Sequence, residues 1–213
     1  MDYEDQVRTV ADRLMDYKTD QSGWRVCRKS NDVMVSWRPS AEYPGNVYKG
    51  EGIISSSPVK VWECLKPVPN GLRVQWDNNV KKFELLEQIT ENISVCRTVT
   101  PSAAMGIISP RDFVDVILIK KYEDGTISSN ASNVLHSSCP PQSGYVRGFN
   151  HPCGCICVPV PGWVLTHTHT HTHTHTHTHT HTHTHLQLLY HSNSPSRWKT
   201  HVKLMARGPN PAL

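Results

Sequence analysis

The chain has 213 residues, 37% of them hydrophobic and 19% charged, so some stretch dilutes an otherwise globular composition. The formal net charge of +4 lies wholly beyond residue 162, where Arg197, Lys199, Lys203 and Arg207 stand without any acid; apart from those four, the 22 basic residues match the 18 acidic ones. A neutral body gives no electrostatic ground for nucleic-acid binding or for adhesion to anionic membranes.

The start, MDYEDQVRTV, is acidic and lacks the apolar run of a secretory signal. No segment reaches the roughly 20 apolar residues that a membrane helix needs. Seven cysteines, an odd number, with no export signal predict a reduced, cytoplasmic compartment. The sequons at Asn92 and Asn130 then stay idle.

Val7, Val10, Leu14 and Tyr17 recur at helical spacing and predict an N-terminal amphipathic helix closed by Gly23. Residues 24–27 and 33–37 read as two short strands around a turn at Asn31 and Asp32. A third strand is expected over 47–54, after which Ser57 and Pro58 open a short helix with Val61, Trp62 and Leu65 inward, ended by Pro67. Strands follow at 80–89 and 93–99, then at 113–122 and 126–134 around the hairpin signal Asp124-Gly125, and another at 145–158. Strand after strand without crossover helices predicts a long antiparallel sheet and excludes a doubly wound α/β fold.

From residue 166 to residue 185, Thr and His alternate without exception, and this tract holds 10 of the 14 histidines. A cytosine-adenine repeat read in triplets alternates CAC and ACA, so the tract points to a retained intron or a wrong gene model and to a product without function. The alternative is loose metal capture by the imidazoles.

The segments GWRVCRKSNDVMVSWRPS, YPGNVYKGEGII, GLRVQWDNNVKKFELL, TPSAAMGIISPRDFVDVILIKKYEDGTISSNA and GYVRGFNHPCGCICVPVPG resemble the StAR-related lipid-transfer (START) family, in its small soluble bile-acid and sterol-binding subgroup. The run Ser109-Pro110-Arg111-Asp112-Phe113 is the most specific piece. The resemblance implies an α+β helix-grip fold, in which a curved antiparallel sheet and an N-terminal helix hold one lipid in a tunnel under a long C-terminal helix. It runs from about Gly23 to Gly162, with a looser helical match before it, so that residues 1–162 read as a truncated lipid-binding domain and residues 163–213 as a low-complexity, disordered tail, with the last strand and the C-terminal helix missing. The implied function is intracellular binding and transfer of a bile acid or sterol by a monomer with transient membrane contact and no cofactor or metal, impaired here by the truncation.

A lipid tunnel needs inward apolar side chains and a few buried polar groups. Alternation sets Ile93, Val95 and Arg97 against Cys96 and Thr98, and Val114, Val116 and Leu118 against Phe113 and Asp115; alternation alone does not say which face is concave. Val114, Val116, Leu118 and Thr98 are candidate tunnel residues. The loop over 101–110 reads either as a gate carrying Met105, Ile107 and Ile108 or as a buried connection with Met105 and Ile108 in the core.

Arg73, Arg97 and Arg111 are candidate partners for a bile-acid carboxylate, since a guanidinium engages both oxygens. Arg111 reads better as a structural cation, paired with Asp112 or Asp115. By the resemblance, Thr98 and Ile117 stand where related sterol carriers have an acid and its arginine partner, which fits a ligand bringing its own charge and hydroxyls. Cys153, Cys155 and Cys157 share one face of a strand but lack the paired spacing of structural zinc, so they read as small buried hydrophobes. No nucleophile elbow, phosphate loop or paired-carboxylate pattern supports catalysis.

Overall fold

The computed structural model describes residues 2–29, 33–102, 104–165 and 179–192, and within 161–165 and 179–192 the backbone with the side chains of His185 and Gln187. The expected turn at Asn31 and Asp32 lies outside these residues.

Helix α1 spans Tyr3–Thr19 and buries Val7, Val10, Ala11, Leu14 and Tyr17 along one stripe. The strands β1 (Arg25–Lys29), β2 (Val33–Pro39) and β3 (Asn46–Ile54) follow. Then comes α2 (Pro58–Leu65), where Ser57 Oγ caps the helix by accepting from Lys60 N at 3.4 Å, and Pro58 fills the first turn. A further short helix, α3 (Leu72–Trp76), stands where no helix was expected; five residues carry too little periodicity to show one.

Two hairpins come next, β4 (Lys82–Gln88) with β5 (Ile93–Val99) and β6 (Arg111–Lys121) with β7 (Ile127–Asn133). The second turns through Gly125 at φ 81°, a left-handed conformation glycine adopts freely, while Asp124 Oδ1 accepts from Thr126 N at 2.8 Å. Where one strand was expected over 145–158 there are two: β8 (Val146–Arg147), parallel to the start of β6, and β9 (Cys153–Leu165). Asn130 is fully buried in β7 and donates to Leu118 O and Ser128 Oγ, so the folded chain hides that sequon.

The last strand, expected to be missing, is present. Strand β10 (His179–Ser192) begins inside the Thr-His tract and pairs antiparallel with both β3 and β9, giving the order β1-β2-β3-β10-β9-β7-β6-β5-β4. The reason is physical: ladder bonds come from the backbone, threonine is β-branched, and a two-residue repeat has the period of a strand. The division after Gly162 falls inside β9. The expected absence of a C-terminal helix, and the disorder of the tail past Ser192, fall on residues outside those described.

Between β3 and β10 lies a buried polar cluster. Lys49, 1% exposed, places Nζ 3.3 Å from Glu51 Oε2 and 4.8 Å from the Trp24 ring centre, and Gln187 Nε2 donates to Glu51 Oε1 at 2.7 Å. His185 Nε2 stands 3.7 Å from the same oxygen; burial lowers its pKa, which Glu51 partly counters.

Helix α1 packs on one face of the sheet. Val7 and Ala11 meet Ile93, Val95, Val114, Val116 and Leu118, while Val10, Leu14 and Tyr17 meet Val47 and Ile156. The helix comes close because β9 carries Gly154 beneath it: a Cβ there would stand 2.4 Å from Leu14 Cδ2 and 2.1 Å from Ser129 O. Gly154→Ala therefore overpacks a backbone contact and should cost about 1–3 kcal/mol, read as a lower urea midpoint at unchanged m-value.

Candidate functional site

The phase of β6 decides what each face carries. Val114, Val116 and Leu118 lie in the core under α1, so these three candidates do not line the other face. Their alternates do. Register places Asp115 between Cys96 and Asn133, Ile117 beside Ala131 and Ile119 beside Ser129; on β9, Cys153 pairs with Ala131, Cys155 with Ser129 and Cys157 with Ile127.

This strip is apolar with a few polar groups, and α2 covers one end of it. Val61, Trp62 and Leu65 pack with Ile127, Cys155 and Cys157, joined by Ile54, Trp76 and Ile119. Burial pushes the thiols of Cys153, Cys155 and Cys157 up, which keeps them protonated and poor as nucleophiles or metal ligands. Among the described residues no group of three or more His, Cys, Asp or Glu is placed to hold a metal. Residues 166–178 of the Thr-His tract lie outside those residues.

Thr98 sits on the same face as the strip, in register with Phe83 and Phe113. Arg73, on α3, donates from Nε to Asp77 Oδ2 at 3.1 Å and lies 5.5 Å from the Phe83 ring centre. Its charge is felt at both Cys153 and Cys155, so it borders the strip.

Arg97 belongs elsewhere. On the α1 side it donates from Nε to Asp112 Oδ2 and from Nη1 to Glu84 Oε2, both at 2.8 Å, beneath the Tyr145 ring at 4.9 Å. Asp112, 0% exposed, also accepts from Arg147 Nε and Nη2 at 2.9 Å each. The Arg147 hydrogen bonds, opposed by burial and joined by Arg97, hold its carboxyl below the usual range. The partners of Asp112 are thus Arg97 and Arg147, in place of the expected Arg111, whose Nη1 donates to Ser109 O at 3.0 Å. Arg147 was missed, since 35 residues separate it from Asp112 and no spacing rule spans that distance.

The loop over 101–110 leaves the sheet between two anchored ends: Arg111 N donates to Thr100 Oγ1 at 3.1 Å and Thr100 N to Arg111 O at 2.8 Å. At its tip Met105 has φ 54° ahead of Gly106 at 90°, and Met105 and Ile107 are 102% and 82% exposed, with Ile108 exposed beside them. The reading of Met105 and Ile108 as core is overturned.

Asp115, the other partner expected for Arg111, is not paired with it. Asp115 is 5% exposed; Oδ2 accepts from Asn150 Nδ2 at 2.8 Å and Oδ1 has no hydrogen-bond partner among the described residues. Burial pushes its carboxyl up to about 7, against the Asn150 hydrogen bond that lowers it. An acid raised in the folded state holds its proton where the unfolded chain has lost it. The ligand-free fold thus loses stability as pH rises from about 4 toward 7.

A START domain model matches residues 4–209. The StAR-related lipid transfer protein 5 of Bos taurus is 61% identical over 147 residues, 69% of this chain and 69% of that protein. The human StAR-related lipid transfer protein 6 is 38% identical over 156 residues, 73% of this chain and 70% of that one. Among solved structures, human StAR-related lipid transfer protein 5 superposes with a TM-score of 0.77 at 46% identity, over 96% of this chain and 91% of that chain. With its N-terminal helix against an antiparallel sheet and this match along most of its length, the chain belongs to the START domain family.

Proposed function

We propose that the chain binds a lipid against the sheet face opposite α1 and transfers it between membranes, with a bile acid or a sterol as the ligand. The observation that carries this reading is the START match over residues 4–209, shared with relatives named as lipid transfer proteins. The strip supports it, because apolar side chains interrupted by Thr98, Asp115 and Ser129 are what an amphipathic lipid requires. Among the described residues no helix is long and apolar enough to cross a membrane, and the loop tip with Met105, Ile107 and Ile108 offers a run of exposed apolar side chains for membrane contact. Transfer is weaker than in the relatives on this reading, because residues 193–213, with prolines at 195, 209 and 211, lack an amphipathic pattern where the resemblance places a long helix.

In this reading the tip of the loop touches the bilayer and opens the strip, and Met105 and Ile107 supply the apolar contact. Arg97 acts as a structural cation, held by Asp112 and Glu84 on the far face, while Arg73 is the cation that borders the bound lipid.

Thermal unfolding followed by tryptophan fluorescence tests the reading directly. A cholic acid or cholesterol complex should raise the midpoint, since only ligand held by the native state does so, and a ligand-blind transition for both would refute it. Replacing Met105 and Ile107 together by serine should slow sterol transfer between vesicles severalfold and leave equilibrium binding unchanged. Arg97→Ala should destabilise the fold by about 1.5–3 kcal/mol, because Asp112 keeps Arg147 but loses a charge-assisted hydrogen bond. It should also leave the ratio of bile-acid to neutral-sterol affinity where it was; selective loss of the bile acid would put Arg97 in the ligand site.

A further inference from the structure

Asp112 and Asp115 lie three positions apart on β6 and meet opposite treatment. Asp112 is answered by two guanidinium groups; Asp115, equally inaccessible, is answered on one oxygen by a neutral amide. The donors near Asp115 are otherwise committed. The amide of Asn133, across the ladder, donates to Val114 O at 3.1 Å, Arg73 is turned to Asp77, and Arg97 and Arg147 stand on the other face with Asp112. Cys96 and Cys153, whose thiols sense the Asp115 charge, are weak donors. Folded proteins rarely leave a buried carboxylate oxygen without a donor. Asn150 is itself held, since its carbonyl accepts from Asn133 N at 3.1 Å, so the free oxygen is presented by a supported frame.

That oxygen sits on the strip beside Ile117, in register with Cys96 and Asn133. We propose that Asp115 Oδ1 accepts the hydrogen bond of a ligand hydroxyl, and so selects a hydroxylated lipid and sets which end of it lies deepest. The inference rests on the lipid-binding reading above. An acceptor without a neighbouring cation repels a carboxylate, so a bile acid enters with a ring hydroxyl at Asp115 and its acid group directed away, toward solvent or Arg73.

The test uses two probes of one skeleton, lithocholic acid with its single hydroxyl and 5β-cholanic acid without it, titrated calorimetrically into the full chain at pH 8. The wild-type chain should prefer lithocholic acid by roughly tenfold, the worth of one good hydrogen bond to a charged group. Asp115→Leu should bring the two affinities within about twofold, with cholanic acid bound as well as before or better. Where that variant does not fold, the shape-conserving Asp115→Asn decides, with the preference reduced at least about threefold. A preference unchanged in the variants, or equal losses for both probes, would overturn the proposal while leaving lipid binding intact. Wild-type chain that binds neither probe would remove the bile-acid form of the lipid-binding reading and this inference with it.

Discussion

The sheet depends on one pairing, that of β10 between β3 and β9. Strands β1 to β3 reach the strands from β4 to β9 through this ladder, with α1 bridging the two groups on one face through Val47 and Ile156. Without it, β3 and β9 would each present unpaired backbone groups, the liability of any open edge. A ladder is satisfied by any extended backbone, so the Thr-His tract pairs with β9 as far as His185, while the pairing with β3 runs mainly through Leu186 to Ser192 just past it. Register is a separate matter. A two-residue repeat slides by two without changing faces, so the tract alone does not set it. The hydrogen bond of Gln187 to Glu51 does, since it ties a buried residue just past the repeat to a carboxylate already held by Lys49.

With the sheet closed, each residue is committed to a face by its parity, and α1 decides which parity is core. The alternation of β6 was legible in the sequence as two sets, Val114, Val116 and Leu118 against Phe113, Asp115 and Ile117. Its phase was not legible, because both sets are mostly apolar and the partner that distinguishes them lies a hundred residues earlier in the chain. The helix stripe at Val7, Val10 and Leu14 was equally legible by itself. What no spacing rule supplies is that the stripe meets Val114 and Val116, and the placement of Arg97 away from the strip follows from the same missing contact.

The hairpins, the short helix capped by Ser57 and the membership in an antiparallel class were within reach, since each rests on chemistry confined to a few neighbouring positions. Strand β10 is not legible in the tract, because low complexity describes the side chains, whereas pairing asks only for an extended backbone beside two waiting edges, and the short apolar run after His185 has its partners far away in sequence. The loop over 101–110 shows the converse. Its apolar residues suggested burial as well as a gate, and exposure of Met105 and Ile107 follows from the left-handed turn at 105 and 106 between ends pinned at Thr100 and Arg111.

Two carboxylates on one strand then show how the fold divides its polar groups between stability and recognition. Asp112 joins β5, β6 and the segment before β9 through Arg97 and Arg147, and both of its carboxylate oxygens are answered by guanidinium donors. Asp115 is given one donor and keeps one free oxygen, on the face where α1 does not lie. A buried group satisfied internally contributes to the fold in every state of the protein, whereas a buried group left short is at its most favourable only when something else arrives. The same burial that raises the Asp115 carboxyl makes the empty state costlier above neutral pH, so a hydroxyl arriving there relieves a strain already present in the fold. Thr126 Oγ1, Asn130 Oδ1 and Gln187 Oε1 are likewise buried without a partner among the described residues; what sets Asp115 Oδ1 apart is that it belongs to a carboxylate on the strip, where an unanswered acceptor costs most.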